Sequence, residues 1–136
     1  MKKALSYSLI ICLFICIVVF LISKQTLPKN FHDIYPDGKK STFCKIVHIN
    51  SNSEESKELS GEDLVKLLNT LEHSKYLPDG SAPSVIEGEL YHLYFSSNHS
   101  ELTEIQITDK GKMIINSSQY SIISDHVCEY IKNILE

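Results

Sequence analysis

The chain has 136 residues, with 13 basic against 17 acidic side chains, a formal net charge of −4, 43% hydrophobic residues and no Trp. Every basic residue is Lys, so the guanidinium fork that grips phosphate and carboxylate is missing. That balance argues against nucleic acid and against an anionic lipid surface as partners.

Lys2 and Lys3 lead an apolar run. Residues 4–23, ALSYSLIICLFICIVVFLIS, carry no charged side chain. Twenty helical residues span roughly 30 Å, the thickness of a bilayer's hydrocarbon core. Between Leu9 and Ile22 every residue is Leu, Ile, Val, Phe or Cys, which favours insertion by several kcal/mol. A cleaved signal peptide begins the same way, but this run is long for one. No small-residue cleavage site follows it either; the flank reads Ser23-Lys24-Gln25-Thr26-Leu27-Pro28. The expectation is an uncleaved anchor over residues 1–23. The Lys pair favours a cytoplasmic N-terminus and an exported remainder, although Lys24 and Lys29 oppose that bias. Cys12 and Cys16 follow the bulky Ile11 and Ile15 inside the run. They read as small apolar residues rather than as a lipid attachment site.

Beyond the run, 11 Lys stand against all 17 acidic residues, a net charge of −6. Residues 24–41 read as a polar stalk with Pro28, Pro36 and the turn signal Pro36-Asp37-Gly38. Phe31, Ile34 and Tyr35 in it are placed to dock on the domain or on the membrane interface. Residues 42–136 make one small extracytoplasmic domain.

Residues 42–50 alternate as a strand, with Phe43, Val47 and Ile49 on one face and Cys44, Ile46 and His48 on the other. Residues 51–59 read as a polar loop. Residues 60–73 predict a helix: Ser60 suits the N-cap, Glu62 and Asp63 put negative charge in the first turn, and Leu64, Leu67, Leu68 and Leu71 form one stripe. Residues 76–84, with two Pro and a Gly, read as a loop. Strands follow at 87–95, 101–108 and 112–116, joined by the turn signal Asp109-Lys110-Gly111. Residues 120–123 add a short extended piece. A last helix, about 125–135, starts behind Ser124. The fold class is α+β, in the order β-α-β-β-β-α, with an antiparallel sheet and its helices on one face.

The residues that carry chemistry form few constellations. Among the six His there is no His-x-x-x-His or Cys-x-x-Cys spacing, so no metal site and no cofactor is expected. His92 with His99, and His126 with Glu129, read as solvated or strand-face residues. Cys128 in a first helical turn has the dipole that lowers a thiol pKa, but His126, two residues away, does not face it. Cys44 and His48 share a strand face at about 13 Å. Both thiols therefore read as structural. An exported domain permits a disulfide between Cys44 and Cys128, with burial as free thiols the alternative. Glu87 and Glu89 project alike about 7 Å apart, as a carboxylate pair or as a solvated strand end. The glycosylation triplets at Asn98 and Asn116 are at the level chance supplies. Tyr91, Tyr94, Phe95 and Tyr120 interleave with polar residues on the meander. They form a possible ligand surface for a peptide or glycan strand, or half-buried sheet filler.

A Lys-led anchor precedes the helix Leu64-Val-Lys-Leu-Leu-Asn-Thr-Leu71, the loop Ser81-Ala-Pro83, Tyr-rich strands and a closing helix. Over residues 60–135 this layout resembles a group of small membrane-anchored cell-envelope proteins of bacilli and related Gram-positive bacteria, the YhfM-like proteins. The resemblance implies an envelope location and transfers no catalytic residue. The expected function is a non-enzymatic extracytoplasmic module that binds a protein or other envelope ligand. The alternatives are a small immunity or stress-response protein acting at the membrane, and an envelope enzyme using Cys128 or the Glu87/Glu89 pair.

Overall fold

The chain opens on a 25-residue helix, α1 (Lys2–Thr26). The computed structural model describes residues 2–50, 52–97, 102–124 and 126–136. From Tyr7 to Lys24 none of α1 is buried, and its length and composition suit it to cross a membrane. A signal sequence has the same character.

After α1 the chain does not hang free. Lys29 and Tyr76 exchange two backbone hydrogen bonds, of 2.8 and 3.0 Å. The short helix α2 (Phe31–Ile34) follows, with the Asn30 N–H donating to Asp33 Oδ2 at 3.1 Å. A 3-10 turn, Pro36–Lys40, comes next. Phe31 and Tyr35 are 1% and 8% exposed. The Phe31 ring lies 5.9 to 6.4 Å from the rings of Tyr35, Tyr76 and Phe95. Gly38 lets the turn close on this cluster, since a Cβ there would stand 3.1 Å from the Tyr35 ring and 3.2 Å from that of Phe31. The segment expected as a stalk is therefore part of the domain from Lys29 onward. Its aromatic residues remove too much apolar surface from water to stay solvated.

The domain is a seven-stranded antiparallel sheet with helices, an α+β fold. Its elements are β1 (Phe43–Ile49), β2 (Glu54–Leu59), α3 (Gly61–Glu72), β3 (Tyr76–Ser81), β4 (Leu90–Ser96), β5 (Thr103–Thr108), β6 (Lys112–Ile115), β7 (Ser118–Ile122) and α4 (His126–Leu135). The strand order across the sheet is β2-β1-β4-β5-β6-β7-β3. The order therefore has three strands more than the expected β-α-β-β-β-α: β7, where the sequence offers only a short extended piece, and β2 and β3, which it presents as loops.

Both of these strands are edges. At β2 the Asn50 carboxamide oxygen accepts from the backbone N–H of Asn52 and Ser53 at 3.0 and 2.8 Å, turning the chain back onto β1. Five of its six residues are exposed, so no apolar alternation is needed. At β3 Pro78 and Gly80 sit in a strand whose one neighbouring strand in the sheet is β7, its register breaking between Pro78 and Ser81. An edge tolerates the missing N–H. The β6–β7 connection is tight: Asn116 and Ser117 have φ of 49° and 62°, as a two-residue hairpin turn of matching twist requires.

The register builds the core. Ile46, Leu93 and Ile105 form one row across β1, β4 and β5. His48, Tyr91, Ile107, Met113 and Tyr120 form the next. These rows share one cluster with Leu64, Leu67 and Leu71 of α3 and with Val127 and Ile131 of α4. The row on the other face runs Val47, His92, Gln106, Ile114, Gln119.

Candidate functional site

The proposed aromatic surface does not exist as a unit. Tyr91 and Phe95 are core residues, 2% and 0% exposed, and Tyr120 is half-buried against the same cluster. Residues 91, 93 and 95 share the inner face, whereas Tyr94 is on the other. A strip that mixes odd and even positions of one strand cannot be one surface. Tyr94 stacks on His92 with ring centres 6.1 Å apart and 7° between planes. The His92 Nδ1 lies 2.6 Å from Glu104 Oε1, which also accepts from Gln106 Nε2 at 3.0 Å. These hydrogen bonds, first that of His92, hold the Glu104 carboxyl below its ordinary value. Burial, then the Glu104 charge, raises the Tyr94 phenol.

Cys44 and Cys128 are both free thiols. Cys44 is level with Phe95, and Phe95 with Thr103 at the start of β5. Cys128 gives its thiol proton to the Thr108 carbonyl at 3.2 Å, at the other end of β5. Five residues of strand separate these levels, roughly 17 Å, far beyond the span of a disulfide. Burial pushes the Cys44 thiol up to about 12.

The paired glutamates also separate. Glu87 lines a cleft of about 230 Å³ under the β3–β4 connection, and Glu89 lines a different one. Between them Gly88 adopts φ of +91°, where a Cβ would overlap Asp109 Oδ1 at 2.1 Å. The Asp109 carboxylate takes the Glu89 N–H at 2.9 Å and fixes the turn. His126 and Glu129 are both exposed on α4. His99 and the triplet at Asn98 lie outside the described residues. Among the described residues no group of three His, Cys, Asp or Glu side chains is placed to hold a metal ion.

Ionisable side chains converge at one other place. A cleft of about 210 Å³ at the junction of β1, β2 and α4 is lined by His48, Glu55, Glu89, Tyr91, Lys132 and Glu136, among others. His48 is the inner-face residue of the β1 row, 7% exposed, with its ring stacked 4.6 Å from that of Tyr91. Its Nδ1 faces Glu55 Oε2 at 3.6 Å and its Nε2 faces Glu89 Oε2 at 4.0 Å. Both distances exceed a hydrogen bond. The buried Nε2 has no hydrogen-bond partner. The same Glu89 oxygen accepts from the Tyr91 hydroxyl at 3.1 Å and lies 3.8 Å from Lys132 Nζ. Burial, then the Glu89 hydrogen bond and charge, raises the Tyr91 phenol above its ordinary value. Sequence reasoning put His48 on one strand face with Cys44 and Ile46, without telling which face is the inner one. A histidine at such a position was the available signal. Its partners come from β2, the turn before β4, and α4, and no local spacing links them.

Comparison of the chain with protein-family models, curated proteins and solved structures returns no match.

Proposed function

We propose that this chain is a single-pass cell-membrane protein. In this reading α1 is an uncleaved span with its N-terminus in the cytoplasm, and the domain is a non-enzymatic binding module outside, like the YhfM-like envelope proteins it resembles. The observation that carries the reading is α1 itself: an apolar helix long enough to span a bilayer, none of it buried from Tyr7 to Lys24. We further infer that α3 and α4 cover one sheet face, leaving the face of Tyr94, His92 and Glu104 toward partners. Burial keeps the Cys44 thiol protonated, in keeping with a structural role for it.

The test is topology. Ser56 is exposed in the middle of β2. In a Cys128→Ser background, a cysteine placed at Ser56 should react with a membrane-impermeant thiol reagent in intact cells. Labelling only after lysis would put the domain in the cytoplasm and end the envelope reading. The mass of the mature chain then distinguishes a retained span from a cleaved leader.

A further inference from the structure

We propose that the cleft at the junction of β1, β2 and α4 binds a primary ammonium group of a soluble amine, with His48 Nε2 and Glu89 Oε2 as its two acceptors. The inference goes beyond the envelope reading and holds on either side of a membrane. It starts from an unmet hydrogen-bonding need. A ring nitrogen in a nine-tenths buried side chain has no partner, and such groups are rare because they carry the full cost of lost hydration. The nearer carboxylate oxygen, that of Glu55, lies 3.6 Å from Nδ1, and in this proposal the imidazole proton sits on that side, which leaves the Nε2 lone pair as an acceptor. That lone pair looks at a second acceptor, Glu89 Oε2, 4.0 Å away. Two acceptors at that spacing call for a donor between them. A nitrogen about 2.8 Å from each subtends roughly 90°, close enough to the angle between two N–H bonds of an ammonium.

The charge around the cleft selects the sign of the ligand. Glu55, Glu89 and Glu136 stand against Lys132. An anion meets net repulsion there, and a cation does not. Glu89 is positioned in advance by the Tyr91 hydroxyl. Lys132 shows the chemistry in miniature, with its own ammonium 3.8 Å from the oxygen that the ligand would use. The Lys132 side chain is about half exposed, at 45%, so it can leave Glu89 for solvent without uncovering the core. An incoming ammonium displaces Lys132 from Glu89 and reaches the nitrogen behind it. Lys132 is thus a built-in competitor. The cleft lies at the β2 side of the sheet, whereas α1 contacts β3 at the other edge. From β1 to β3 is five strand spacings, roughly 24 Å, which sets the cleft well apart from the α1 contact and favours a soluble amine as its occupant.

The experiment titrates the full chain in detergent micelles with n-propylammonium chloride at constant ionic strength, followed by NMR of the His48 ring and by calorimetry. Sodium chloride and n-propanol are the controls. The expected result is saturable one-to-one binding of the amine and none of propanol. Glu89→Gln should weaken it at least about ten-fold, the loss of one charge-assisted hydrogen bond. Lys132→Ala, an exposed change that leaves the core untouched, should tighten it. No saturation by the amine in the wild type, equal binding of propanol, or weaker binding in Lys132→Ala overturns the proposal. The amine source is decided by two further probes, Nα-acetyl-lysine amide and glycerophosphoethanolamine. Preference for the lysine derivative supports a soluble or peptide amine, and preference for the lipid headgroup overturns that assignment. None of these readouts depends on topology, so failure here and failure of the envelope reading are separable.

Discussion

At the β3 edge of the sheet the chain closes over itself. Lys29 pairs with Tyr76, Phe31 and Tyr35 pack into the core, and Asp79 accepts from Lys112, Gln119 and Ser121 across β6 and β7. At the β2 edge five of six residues are exposed and charged or polar, and the strand is held by β1, by the Asn50 turn and by a hydrogen bond from Lys57 to the Ile134 carbonyl at 2.8 Å. An edge can be made safe by covering it or by charging it. This protein does both, one at each side. The covered edge adjoins α1, so the N-terminal segment that leads out of the helix is also the cover. The charged edge is left open, and the ionisable cleft sits beside it.

The contrast predicts unequal sensitivity. Phe31→Ala empties a site at the covered edge where the side chain is 1% exposed. It should destabilise the fold by about 3–5 kcal/mol, as read by chemical denaturation. Truncation sharpens the point. A chain starting at Leu27 should fold cooperatively, and one starting at Thr42 should not. If both fold equally well, residues 29–41 are a tether after all and the covered edge is illusory.

The open edge should give smaller, local effects. Asn50→Ala removes the acceptor of two backbone N–H groups in an exposed turn. About 1 kcal/mol is expected, seen as faster hydrogen exchange in β2 with the β4–β5 amides unchanged. Lys57→Ala deletes an exposed hydrogen bond to Ile134 and should cost less than about 0.5 kcal/mol. A global loss of protection in either variant would show that β2 belongs to the cooperative core.

This asymmetry also explains what the sequence could and could not tell. Elements that bury a face announce themselves. The α3 stripe of Leu64, Leu67 and Leu71 and the inner β4 face of Tyr91, Leu93 and Phe95 are all buried, and alternation or helical spacing alone locates them. The two edge strands bury little, so β2 reads as a charged loop and β3, with Pro78 and Gly80, as part of a loop. Local patterns also carry no information about what meets across the fold. Phe31 is separated by 45 residues from Tyr76 and by 64 from Phe95, yet all three share one aromatic cluster. The His48 cleft escapes for the same reason, because His48, Glu55, Glu89 and Lys132 are gathered from three elements and a turn by register and helix docking.

The smallest predicted effect tests the polar part of the covered edge. Asp79 accepts hydrogen bonds from Lys112, Gln119 and Ser121, in that order of weight, and they hold its carboxyl below the ordinary value. A group with a depressed folded pKa contributes stability that is complete above the unfolded value, about 3.9, and fades as pH falls through the folded one. The contribution should therefore be flat near neutrality and vanish in acid. The Asp79 side chain is 40% exposed, so solvent screening keeps the amount to a few tenths of a kcal/mol. Asp79→Asn should lower the denaturation midpoint slightly at pH 7 and converge with wild type in acid, once the Asp79 carboxyl is protonated in the folded state as well. Parallel pH curves for wild type and Asp79→Asn would mean that the Lys112–Asp79 contact adds nothing, and that apolar packing around Phe31 alone closes this edge.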